Sequence, residues 1–192
     1  MGAGESSVSE EEIRELGKDT VFTPKEIRSL VRRYLTIDPS GKRGILLQDA
    51  FDMSEFCLPR LLHGFVSLYA SKPPENEETS IEDRRLHIDQ YIRLMSLLSP
   101  RTLESDKLQK FFLVCDVDGD GKLSENDLYS TFRMIYGEQS RAVTGEQLNE
   151  IIHGLLTTKE GTKRDHLPIE EFIQLIPASE IAEKFTVNVS LQ

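Results

Sequence analysis

Twelve residues restrict this chain more than any other stretch: Asp116-Val-Asp-Gly-Asp-Gly-Lys-Leu-Ser-Glu-Asn-Asp127. Carboxylates alternate at the first, third and fifth places (Asp116, Asp118, Asp120), glycine stands at the sixth (Gly121), and a fourth acid closes the run (Asp127). This is the spacing of a loop that wraps oxygen ligands around a hard divalent cation, with ligands from places 1, 3, 5, 7, 9 and 12. Lys122 at place 7 would give its backbone carbonyl, a role in which its side chain is irrelevant. Ser124 at place 9 would coordinate directly or orient a water. The sharp turn falls at Gly121, where the absence of a Cβ frees the backbone. Leu123 at place 8 is the apolar residue that packs between paired loops.

The flanks say what the loop joins. Leu108, Phe111, Phe112 and Cys115 precede it at the i, i+3, i+4, i+7 spacing of a helix face. Leu128, Thr131, Phe132 and Ile135 follow it in the same way. The unit is therefore a helix–loop–helix, an EF-hand. A merely acidic surface turn would need neither the glycine nor the two stripes.

One such unit leaves its apolar face bare, so the same frame is expected elsewhere in the chain. It recurs three times with its ligands eroded. Downstream, Ile152, Leu155 and Leu156 lead in, Leu167 takes place 8, Glu171 takes place 12, and Phe172, Leu175 and Ile176 lead out. Places 1, 3, 5 and 6 hold Glu160, Thr162, Arg164 and Asp165, so this loop reads as metal-free, pairing through Leu167 with Leu123. Upstream, Leu30, Tyr34 and Ile37 lead to Asp38-Pro-Ser-Gly-Lys-Arg-Gly-Ile-Leu-Leu-Gln-Asp49. There Ile45 keeps place 8, while Lys42 and Arg43 replace a ligand and the glycine; Phe51 would favour a frame shifted by about one residue. In the remaining unit Leu62, Phe65, Val66 and Tyr69 lead in, Leu86 takes place 8, and Tyr91, Leu94, Met95 and Leu98 lead out. Its loop is too long by about nine residues, an exposed polar insertion near 71–82.

The expected fold is all-α: four EF-hand units in two pairs, with a short two-stranded loop pairing in each. The divisions read from the sequence are a flexible tail over 1–19, a degenerate pair over 20–99, a pair over 103–177 with its intact loop at 116–127, and a tail over 178–192. Pro100 marks the boundary between the pairs.

Bulk properties exclude some functions. The formal net charge of −10 argues against nucleic acid, which requires a basic face. No apolar run approaches the ~18 residues of a membrane span, and no secretory leader opens the chain. Cys57 and Cys115 sit within apolar patterns and read as buried thiols of a reducing compartment. His63, His87, His153 and His166 show no metal-ligand spacing, and no nucleophile motif appears, so no enzyme is expected. Met1-Gly2-Ala3-Gly4-Glu5-Ser6 matches the pattern for myristate on Gly2. The acidic residues after it would leave any such anchor weak and reversible. The expected location is cytoplasmic, at the cytoplasmic face of a membrane if the lipid is attached.

Asp127 bears on which ion binds. Glutamate at place 12 gives two oxygens to Ca²⁺ and a coordination number of about seven. Aspartate is one methylene shorter and favours one oxygen, lowering the number toward the six that Mg²⁺ demands. One site binding Ca²⁺ weakly, and Mg²⁺ comparably well in a cell, is the expectation.

Taken together, the chain resembles the calcineurin B-like group of EF-hand proteins: the phosphatase regulatory subunit, the calcineurin-homologous proteins, and the calcium- and integrin-binding proteins. The resemblance includes the Gly2 start, Val21-Phe-Thr-Pro-Lys-Glu-Ile27, four frames in order, and the tail Glu183-Lys-Phe-Thr-Val-Asn-Val189. Asp127 and the tail look most like the calcium- and integrin-binding branch, the insertion like the calcineurin-homologous branch. The resemblance implies a non-catalytic subunit whose apolar groove grips an amphipathic helix of a larger protein. That partner would be a phosphatase catalytic subunit, or a cytoplasmic segment of a channel, transporter or receptor. Candidate groove residues are Phe65, Met95, Phe112, Phe132, Met134, Ile152 and Phe172, with the stretch from Ile181 to Val189 as a cover. The fourth loop is usually a metal site in such proteins and is degraded here, so a constitutive, light chain-like subunit with little calcium response stays open beside a calcium-responsive one.

Overall fold

Helix starts are written in short polar signals. Ser9 with Glu12, Thr23 with Glu26 and Thr144 with Gln147 form reciprocal capping boxes, each side chain satisfying a backbone N–H that has no partner within the helix. They open α1 (Glu10–Asp19), α2 (Pro24–Tyr34) and α8 (Gly145–Leu155). In α2 a proline occupies the first turn, where no N–H is needed. The computed structural model describes residues 8–56, 61–71, 83–136, 143–175, 180 and 184–187, with the backbone alone for Leu61, Ile135 and Tyr136. Gly2, Cys57, positions 72–82 of the insertion, and 181–183 and 188–189 of the tail lie outside them.

The remaining elements follow the frames. They are β1 (Ile45–Leu46), α3 (Leu47–Phe51), α4 (Leu61–Tyr69), β2 (Arg85–Leu86), α5 (Ile88–Leu97), α6 (Glu104–Cys115), β3 (Leu123–Ser124), α7 (Glu125–Tyr136), β4 (His166–Leu167) and α9 (Ile169–Leu175). The fold is all-α, apart from two antiparallel two-stranded pairings among the described residues. Ile45 lies opposite Leu86, and Leu123 opposite Leu167, so each pairing joins the eighth places of two loops. All four side chains are buried. In the Asp38–Asp49 loop the strand occupies places 8 and 9 and the helix begins at place 10, as in the Asp116–Asp127 loop, which settles the register without a shift.

The chain divides into two compact units, Met1–Leu103 with Phe185–Gln192, and Glu104–Lys184. In the first unit α1, α2 and α5 pack together, and α4 packs on α3 and α5. Ile27, Leu30, Tyr34, Phe65, Val66, Ile92 and Leu94 are fully buried there. A charged group is buried beside them: the Glu55 carboxylate accepts from the Arg33 guanidinium, from Ser54 Oγ at 2.8 Å and from Tyr91 Oη at 2.9 Å. Burial alone would raise the Glu55 pKa, yet those donors hold its carboxyl below the ordinary value. In the second unit Phe172 of α9 meets Phe111 and Phe112 of α6, with ring centroids 5.5 and 5.6 Å apart, and α7 packs on α8.

The stretch expected to end a flexible tail is different. Glu10–Asp19 is a capped helix, and Val8, Ile13 and Leu16 are buried as α1 packs on α2 and α5. Three consecutive glutamates mask its apolar face in the sequence, but acids suit a first helical turn.

Candidate metal centre

Asp116 follows the last residue of α6, and its backbone N–H still bonds to Phe112 O at 2.9 Å. The helix thereby delivers the first carboxylate into the loop at a fixed point. Asp116 Oδ1 accepts from Gly119 N at 2.9 Å and Asp120 N at 3.1 Å, and Oδ2 accepts from Gly121 N at 2.9 Å. Asp118 Oδ1 accepts from Asp120 N at 3.2 Å, and Asp120 Oδ1 from Lys122 N at 2.8 Å. The loop is thus folded around its own acids. Gly121 has φ +80°, the left-handed region that a side chain would strain.

Asp116, Asp118 and Asp120 each present an oxygen within 4.8 Å of the others. Oxygens sharing one Ca²⁺ at about 2.3–2.6 Å can be no more than about 5 Å apart. The three therefore fit a common hard cation, and the all-oxygen donor set suits Ca²⁺ or Mg²⁺ rather than a softer metal. Asp116 is buried and the other two are exposed, leaving a path for the ion.

Asp127 closes the loop in a way that its place in the frame does not reveal. Its Oδ1 accepts from Val117 N at 3.0 Å; its Oδ2 accepts from Ser124 N at 2.9 Å and Ser124 Oγ at 2.6 Å. Asp127 N in turn donates to Ser124 Oγ at 3.3 Å, so Ser124 and Asp127 form a box at the start of α7. Burial pushes the Asp127 pKa up, but these donors outweigh it and hold the carboxyl below its ordinary value. The sequence signal was the Ser-x-x-Asp spacing, present but hidden within the ligand pattern.

The other loops close by different means. In the first, the buried Asp38 carboxylate accepts from Ser40 N, Ser40 Oγ, Arg43 N and Gly44 N, at 3.2, 2.6, 3.1 and 3.1 Å. The turn has moved to Gly44, with φ +77°, where a Cβ would come within 2.9 Å of His87 Cε1. In the second, Arg84 donates to the carbonyls of Ser67 and Ala70 at the end of α4. In the fourth, Arg164 at place 5 meets Glu171 at place 12, Nη1 to Oε1 at 2.5 Å and Nη2 to Oε2 at 2.9 Å.

The candidate groove residues are placed unevenly. Phe65 and Met95 are buried in the first unit, and Phe112, Ile152 and Phe172 in the second; Phe132 and Met134 on α7 are half-buried. Phe185 of the tail is itself buried, edge-on to Phe65 with centroids 5.4 Å apart, and Val187 N donates to Leu98 O at 2.9 Å. Cys115 is buried, which pushes its thiol pKa up to about 12 and leaves it unreactive. No helix among the described residues is long and apolar enough to cross a membrane.

Helix–loop–helix frames joined in pairs through their eighth places, with an acidic cluster in one loop, are consistent with an all-α EF-hand fold. The chain is 27% identical over 190 residues to the calcineurin B subunit of Naegleria gruberi, covering 98% of this chain and all of the relative. It is 25% identical over 191 residues to the type 1 calcineurin B subunit of Dictyostelium discoideum, covering 99% of each, and 23% identical to the calcineurin B subunit of Schizosaccharomyces pombe, covering 98% and 99%. No protein-family model matches the chain. The likeness over nearly the whole length supports a calcineurin B-like EF-hand family for this protein.

Proposed function

We propose that this protein is a calcium-binding regulatory subunit of a calcineurin-type phosphatase, itself non-catalytic. The observation that carries the reading is the Asp116–Asp118–Asp120 cluster inside a paired EF-hand frame, in a chain matched end to end by calcineurin B subunits. Asp116, Asp118, Asp120, the Lys122 carbonyl, Ser124 and Asp127 would hold one Ca²⁺ or Mg²⁺. The ion would supply positive charge at the loop centre, drawing the end of α6 and the start of α7 together. Both Asp127 oxygens already serve Val117 and Ser124, which favours a minor share for this residue in coordination and a Mg²⁺-tolerant site.

The subunit would grip an amphipathic helix of the catalytic partner. Since Phe65 is packed against Phe185, an arriving helix in the first unit would compete with the tail for that ring. Myristate on Gly2 would add weak membrane association. The test is gel filtration of the full chain mixed with a calcineurin-type catalytic subunit, followed by phosphatase assay with EDTA, Mg²⁺ or Ca²⁺. Co-elution and raised activity are expected. Separate elution under all three conditions would refute the reading.

A second reading has its own support. The first and fourth loops are closed by their own side chains, Asp38 and Arg164–Glu171, which favours a constitutive subunit with a small calcium response. Fluorescence of an apolar dye with Mg²⁺, then with added Ca²⁺, separates them: a rise on Ca²⁺ supports sensing, and a flat trace supports the constitutive subunit.

A further inference from the structure

The fourth loop has lost its ligands but not its closed shape. Thr162 and Arg164 stand where carboxylates would be, and yet the loop folds back on α8: Thr158 N donates to Thr162 O at 2.9 Å, and Arg164 N to Leu156 O at 2.7 Å. The Arg164 side chain then turns toward the end of the loop. Its two terminal nitrogens meet the two oxygens of Glu171, and Nη2 also lies 3.3 Å from Leu155 O, a carbonyl at the C-terminal end of α8. The Arg164 side chain is only 23% exposed.

This is the connectivity of an occupied EF-hand loop. There a cation draws the bidentate acid at place 12 toward ligands from the first half of the loop. A guanidinium presents two parallel donors that match both oxygens of one carboxylate, and it carries its charge at every accessible pH. We infer that Arg164 is a tethered cation. It occupies the role of the divalent ion between the fifth and twelfth places of the fourth loop, and fixes Glu171 and β4 with no ion bound.

The consequence passes to the third loop. β4 is the partner of β3, with Leu167 opposite Leu123 and His166 opposite Ser124. The eighth and ninth places of the metal loop are therefore held before any ion arrives, and less ordering is left for binding to accomplish. Arg164 regulates the neighbouring site by supplying it with a permanently closed partner. Binding at Asp116–Asp127 should then be a single step, without the cooperativity of two ion-dependent loops.

The test uses the full chain with Arg164→Met, which keeps an apolar stem and removes the charge, and Glu171→Gln, which removes the other half of the pair. Amide hydrogen exchange at His166 and Leu167 is read in EDTA. Exchange about fivefold faster in each variant than in wild type is expected. Unchanged exchange in both overturns the inference, and if Arg164→Met does not fold, Glu171→Gln gives the same reading alone. Calorimetry with Ca²⁺ should then show affinity reduced by roughly threefold to tenfold in Arg164→Met. Only this second arm rests on the third loop's binding an ion. A wild type that binds no Ca²⁺ overturns that reading and leaves the exchange result standing, whereas unchanged Ca²⁺ affinity in the variant overturns the coupling of the two loops.

Discussion

The third and fourth loops share a frame and divide its chemistry. Both lie between amphipathic helices, both place a buried leucine at the eighth position, and those leucines face each other across β3 and β4. One loop gathers three carboxylates within 4.8 Å, whose mutual repulsion a shared cation would relieve. The other joins a carboxylate to a guanidinium, Glu171 to Arg164, in a pair that is neutral by itself. The difference teaches that the frame and the ion site are separable. The apolar eighth place and the helix stripes build the unit, and the polar places only decide where its positive charge comes from.

The largest effects should be those that the loops share. Leu123→Ala and Leu167→Ala each remove a fully buried side chain and should cost about 3 kcal/mol in urea unfolding. A large loss from one and none from the other would break the equivalence of the loops. Next come the places where they differ. Asp116→Ala removes a ligand and leaves the Gly119 and Gly121 N–H groups without their acceptor, so Ca²⁺ affinity by calorimetry should fall about a hundredfold. Glu160→Ala, at the same place of the fourth loop, should leave that affinity unaltered.

Asp127→Glu sharpens the comparison at place 12. The longer acid should raise the preference for Ca²⁺ over Mg²⁺ by about tenfold in paired calorimetric titrations. Submicromolar Ca²⁺ binding in the wild type, indifferent to millimolar Mg²⁺, would refute a Mg²⁺-tolerant site.

Acid should act on both loops with the same sign. Burial raises the Asp127 pKa, but the Ser124 and Val117 donors hold the folded value below 3.8. The Arg164 guanidinium holds that of Glu171 below 4.5. A depressed folded value stabilises the native state above the unfolded pKa and is lost as pH falls through the folded one. Melting followed by circular dichroism from pH 7 to pH 3 should therefore show stability falling below about pH 4. Arg164→Met should flatten part of that fall and Asp127→Asn another part. The smallest effect belongs to the pair linking the loops. Lys163 and Glu125 are 3.0 Å apart with both side chains more than half exposed, and Lys163→Ala should change stability by less than about 0.5 kcal/mol.

Much of this was legible from residue order. The alternation of Asp116, Asp118 and Asp120 specified the cluster, and counting to the eighth place identified Leu123, Leu167, Ile45 and Leu86 as the pairing residues. Such features are local, because a twelve-residue loop between two stripes leaves little to tertiary context. The first helix was legible too, through Ser9 and Glu12, but its run of acids read as a solvated tail. The buried Glu55 was not legible: its partners Arg33 and Tyr91 lie 22 and 36 residues away in sequence, and nothing marks them as neighbours.

What the sequence by itself determined is the set of frames, the all-α class and the acids that gather in the third loop, since periodicity and carboxylate spacing act within a few turns of chain. Only the tertiary structure decided how the polar places are satisfied. Asp127 binds the loop's own N–H groups, Arg164 turns to Glu171, and Phe185 returns to Phe65 across a long separation in sequence. The reason is physical. A hydrogen bond or a ring contact needs a partner at a given distance and direction, and folding alone determines which of many competent partners is brought there.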